Sequence, residues 1–184
     1  MKNTQKKLAV MFGAIALLST VSINANADTV EGGTIKFLGS VVNAACAVDA
    51  GDVDKVVKMG QVRLADFGST AGTLSKNRHD VDIKLLDCDT SVSTTAAVTF
   101  NGTGAGGAFT KVLQAGLGAG SATGVGIQLF DSTGSKLDLG VAATPTTLID
   151  GTNVLHYQAA YISTEANPTA GNADANATFT ITYA

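Results

Sequence analysis

Apolar and hydroxyl-bearing side chains alternate strictly along residues 177–184, ATFTITYA, with Phe179, Ile181 and Tyr183 set against Thr178, Thr180 and Thr182. A pleated strand sends successive side chains to opposite faces, so this pattern reads as a half-buried β-strand. The sequence ends at Ala184 and offers no later segment to pair with it. An open strand edge recruits other chains unless something covers it. The expectation is that either an earlier segment of this chain or another molecule lies beside residues 177–184.

The remainder of the chain is also β-like. It is rich in Thr, Val and Gly, has no Trp and only two prolines, and breaks its short apolar runs with Gly, Asn, Asp and Ser clusters. Strands are expected at residues 34–42, 46–50, 55–62, 80–88, 96–102, 125–131, 153–163 and 177–184. Residues 108–117, AFTKVLQAGL, leave two readings open, a short strand or a turn of helix. Several such strands in one domain predict an all-β antiparallel sandwich of immunoglobulin type, although the Trp of antibody domains is missing.

Lys2, Lys6 and Lys7, the apolar run Leu8 to Leu18 and the small-x-small sequence Ala25-Asn26-Ala27 together predict a removed secretory signal over residues 1–27. Its loss takes three lysines from a chain already at a net charge of −3, so nucleic-acid binding is disfavoured. The two cysteines, Cys46 and Cys88, then enter an oxidising compartment, where one intramolecular disulfide is the default reading. No CxxC and no histidine cluster supports a metal or catalytic thiol instead.

Other motifs point to no chemistry. Gly102, Gly104 and Gly107 spell GxGxxG, but no βαβ unit surrounds them, and a Gly-rich hairpin loop is the expectation. Asp80, Asp82, Asp87 and Asp89 crowd around one strand, and Asp49, Asp52 and Asp54 share a loop. Neither group has the EF-hand spacing, so both are expected to be solvated carboxylates. His79 and His156 have no identifiable partner, and no GxSxG nucleophile context is present. The sequence therefore names no catalytic residue, metal site or cofactor, and an enzyme is not expected.

The other end of the chain suggests what covers residues 177–184. In TVEGGTIKFLGSVV, Ile35, Phe37, Gly39 and Val41 fall on one side of an extended segment. An alternating arm at one end and an uncovered strand at the other are complementary, and joining them between molecules gives an open head-to-tail filament.

The arm GGTIKFLGSVVNAACAVD, the stretches GQVRLADF and LLDCDT, a glycine fourteen residues from the end (Gly171) and a penultimate tyrosine (Tyr183) resemble the chaperone-usher pilins, and within that family the major subunits of type 1 fimbriae. The resemblance spans residues 32–184. It implies an incomplete immunoglobulin-like sandwich lacking its seventh strand, with residues 28–42 as a donor-strand extension and 43–184 as the pilin domain. It further implies donor anchors at Ile35, Phe37, Gly39 and Val41, an acceptor edge and C-terminal signature at Gly171, Phe179, Ile181 and Tyr183, and a Cys46–Cys88 disulfide. The partners implied are other copies of the chain, a periplasmic chaperone, an outer-membrane usher, minor pilins and a tip adhesin, in an extracellular fimbria reached through the periplasm. A minor adaptor near the fimbrial tip and a secreted carbohydrate-binding module are the alternative functions.

Overall fold

The computed structural model describes residues 31–184; the expected signal segment lies outside the described residues. Ser40–Ala184 form one compact unit, and the described residues 31–39 fall outside it. Within the larger unit the strands are β1 (Ala47–Val48), β2 (His79–Asp80), β3 (Ile83–Cys88), β4 (Thr95–Gly102), β5 (Leu113–Gln114), β6 (Val125–Phe130), β7 (Lys136–Leu137), β8 (Thr146–Thr147), β9 (Gly151–Leu155), β10 (Gln158–Ser163) and β11 (Ala177–Tyr183). One four-residue helix, α1 (Ala50–Val53), interrupts them.

All strand pairings are antiparallel. One sheet runs β1-β3-β9, a second β2-β10-β6-β5 with β7 added to β6, and a third β11-β4-β8. Only His156 and Tyr157 separate β9 from β10, so one kinked length of chain joins the first two sheets. Ile83 and Leu85 of β3, Val98 and Phe100 of β4, Ile127 and Leu129 of β6, and Leu155 and Tyr157 share a single buried cluster. The fold is therefore an antiparallel β-sandwich, as the sequence predicts.

Local departures from the predicted strands each have a physical reason. Residues 80–88 are not continuous, because β2 pairs with β10 while β3 pairs with β1 and β9. The 46–50 strand stops after Val48, where the Asp49 carboxylate caps α1 by accepting from Gly51 N at 2.8 Å. Residues 34–42 and 55–62 carry no assigned strand, since a strand needs a ladder of hydrogen bonds to a neighbour and alternation alone does not supply one. The ambiguous 108–117 segment contains both forms, a 3₁₀ turn at Gly107–Phe109 and then β5.

β6 is buried on both faces. Ile127 and Leu129 face the core, the Gln128 side chain donates to the carbonyls of Leu129 and Leu137, and the Arg78 guanidinium lies 3.8 Å over the Phe130 ring. An amide at that position is tolerated because its donors are satisfied.

The disulfide depends on an irregularity in β3. Strict alternation would put Cys88 on the face opposite Ile83 and Leu85, yet all three are buried. The register shifts between Leu85 and Cys88, and Asp87 takes a left-handed backbone with φ of 51°. That bulge turns Cys88 onto the core side, where it bonds Cys46 with the two Cα atoms 4.2 Å apart.

One expectation about charge is corrected. Asp52 is buried rather than solvated. It accepts from Lys55 Nζ and from the backbone N–H of Lys84, each at 2.6 Å, and so ties α1 to β3. The aspartate is buried because two donors converge on it, one of them 32 residues away in sequence.

Candidate functional site: an open strand edge

β11 pairs along its whole length with β4, in the register Phe179↔Phe100, Ile181↔Val98 and Tyr183↔Ala96. Just beyond it, Ala184 and Thr95 exchange both of their backbone hydrogen bonds, at 3.1 and 2.9 Å. In an antiparallel ladder, hydrogen-bonded and non-bonded pairs alternate. Tyr183, Ile181 and Phe179 therefore occupy non-bonded positions, and their N–H and C=O groups point away from β4. The bonds that Val98 O and Phe100 O accept from Ala143 and Gly140, at 2.8 Å each, fit the same phase. No described strand lies along the outer edge of β11.

The side chains of these three residues are also incompletely covered. Their partners Ala96, Val98 and Phe100 are buried, whereas Phe179, Ile181 and Tyr183 are half-buried while packing on the same core. Phe100 meets Tyr157 edge-on at 5.1 Å and Phe179 at 6.5 Å, so the aromatic cluster continues from the closed core into the exposed edge. Tyr183 Oη donates to Cys46 O at 3.3 Å, and burial raises its pKa.

A second edge shows the same condition. Residues 55–62 run on from α1 without a backbone hydrogen bond to another described residue. Val57, Met59 and Val62 are half-buried, and Met59 and Val62 pack on the core that β11 covers. The alternation in KVVKMGQV had signalled a strand, but nothing in the sequence distinguished one left without a ladder from one built into a sheet. These residues were therefore missed as part of the site.

The remaining sequence-predicted residues fall as follows. Ile35, Phe37 and Val41 are exposed, Phe37 at 91%, and they carry no assigned strand. A Cβ added to Gly39 would meet nothing within 4 Å. Gly171 precedes β11 and is packed against Gly120–Ala122. Of the GxGxxG glycines, Gly102 ends β4 and pairs with Ala177, while Gly104 and Gly107 lie in the connection to β5, where Gly104 forms a bridge with Leu113. His156 Nδ1 is 2.8 Å from Asp82 Oδ1 at the surface, and His79 pairs with Ala159 in the sheet. No group of three or more metal-ligating side chains occurs among the described residues. The arrangement offers apolar contact and main-chain hydrogen bonds to an extended peptide.

Comparisons with known proteins bear on this edge. The model of the fimbrial protein family matches residues 35–184. The chain is 48% identical to the type-1 fimbrial protein A chain of Escherichia coli K12, over 95% of each sequence. It is 46% identical to the type 1 fimbrial subunit of Klebsiella pneumoniae, over 97% of this chain and 98% of that one. Among solved structures, a subunit from a chaperone-usher pilus described in terms of rod uncoiling superposes with a TM-score of 0.68 at 28% identity, covering 86% of this chain and all of the other.

Proposed function

This chain belongs to the fimbrial protein family, and from that premise we propose that it is the structural major subunit of a type 1-like fimbria on the bacterial cell surface. Copies join head to tail when residues 31–42 of one occupy the open edge beside β11 of the next. The role is mechanical rather than catalytic. In the periplasm a chaperone supplies a strand to the same edge, and at the outer-membrane usher the arm of the incoming subunit replaces it. Minor pilins and a tip adhesin complete the fibre.

The outer edge of β11 is the observation that carries this reading. Three residues there present backbone donors and acceptors outward and leave their apolar side chains half-covered. An arm with exposed Ile35, Phe37 and Val41 has the matching period. Seating each large anchor would contribute about 1.5–3 kcal/mol, with a main-chain ladder in addition.

Deleting residues 28–39 while co-expressing the periplasmic chaperone tests the proposal. The expected product is a soluble, chaperone-bound subunit that accepts an incoming arm but cannot extend a fibre through its own. Fibres of normal length from that deletion would contradict the mechanism.

A further inference from the structure

We infer that Met59 is an oxidation site through which peroxide controls whether a free subunit can accept a donor strand, an inference that rests on the function proposed above. Methionine occurs at positions 1, 11 and 59, so Met59 is the sole thioether of residues 28–184. The competing oxidisable groups are removed: the chain has no Trp, and both cysteines are held in the disulfide. Met59 is half-buried, in the 55–62 segment that makes no backbone hydrogen bond to a described residue, and its side chain packs on the core shared with Phe179 and Ile181. Met59 is only partly covered, and on this inference peroxide reaches its sulfur while the edge is open and an inserted strand covers it.

The reaction is a two-electron oxygen transfer. A sulfur lone pair attacks one peroxide oxygen, the O–O bond breaks, the sulfur becomes a sulfoxide and water leaves. The product is a strong hydrogen-bond acceptor where an apolar contact is required. Covering it with an apolar strand removes its water without offering a donor, which disfavours insertion. A strand in the edge, whether lent by the chaperone or supplied by a neighbour in the filament, keeps the thioether covered and reduced, so the sensitivity belongs to subunits that neither has yet capped.

The test uses the mature, disulfide-bonded chain. It is treated with hydrogen peroxide until peptide mass analysis shows one oxygen on Met59, the peroxide is removed, the chaperone and usher are added, and filament growth is followed against untreated protein under the same conditions. The oxidised chain is expected to grow at least threefold more slowly, and methionine sulfoxide reductase to restore the rate. The variant Met59→Leu, similar in volume, should grow equally with and without peroxide. Met59 in preformed filaments should take up oxygen at least threefold more slowly than in free subunits. Less than threefold slowing, an equal loss in Met59→Leu, or equal oxidation in filaments would each overturn the inference. Untreated chain that forms no filament would instead overturn the function on which it rests.

Discussion

Gly171 lies against Ala122 with no room for a side chain between them. A Cβ on Gly171 would overlap the backbone of Ser121 and Ala122, and the next residue fixes the approach, because Asn172 O accepts from Ala122 N at 2.9 Å. This crossing holds the segment that leads into β11.

Gly171→Ala is therefore expected to destabilise the subunit by about 1–3 kcal/mol, the usual cost of overpacking. In a domain of this size that corresponds to a fall in Tm of roughly 2–4 °C per kcal/mol. Thermal unfolding of the strand-complemented subunit, followed by circular dichroism, measures it. A Tm within one degree of wild type would show that the crossing can relax.

Reduction of Cys46–Cys88 should also lower stability. The bridge closes a separation of 42 residues, which the chain-entropy model values at about 4 kcal/mol. Asp87 holds the left-handed backbone that aims Cys88 inward, so the β-branched substitution Asp87→Val should cost about 1–3 kcal/mol even with the disulfide intact. Denaturant midpoints with and without reductant separate the two effects.

Acid should weaken the β6–β7 turn through Asp131. Its carboxylate accepts first from the Thr133 hydroxyl and also from the backbone N–H groups of Thr133 and Ser135, and these bonds outweigh burial and hold its pKa below the ordinary value. A depressed folded-state pKa stabilises the protein fully above the unfolded value, and the contribution is lost as pH falls through the folded one. Asp131→Asn keeps an acceptor but cannot titrate. Its unfolding free energy should fall less steeply below about pH 4 than that of wild type, as read from urea titrations across that range. Equal slopes would remove Asp131 as a source of acid sensitivity.

Gly39→Val distinguishes the arm's role in a neighbour from any role in its own subunit. A Cβ at Gly39 meets nothing within 4 Å in the lone chain, so the substitution should leave the stability of residues 40–184 unchanged. If Gly39 seats against the wall of the next subunit's open edge, the same variant should slow filament growth tenfold or more, about 1.4 kcal/mol or more. Growth at the wild-type rate would show that no wall approaches position 39.

Much of β4 and β11 was legible because their cues are local. The alternation of Phe179, Ile181 and Tyr183 with threonine gave both the strand and its core-facing side, and β11 pairs as such a strand should. The role of Met59 was not legible, because KVVKMGQV alternates as well as many paired strands do. Asp52 misled for a related reason: its donors, Lys55 Nζ and Lys84 N, include one far along the chain, and sequence proximity does not reveal their convergence. Cys88 was read as disulfide-bonded, but the turn that brings it inward depends on the backbone at Asp87, an aspartate like many others in the chain.

The sequence by itself determined which side chains share a face, because the pleat fixes a period of two wherever a strand forms. Tertiary structure decided which strands have neighbours. Hydrogen-bond ladders belong to pairs of segments, and whether β11 is enclosed or left with an outward row of donors and acceptors depends on what the rest of the chain brings beside it.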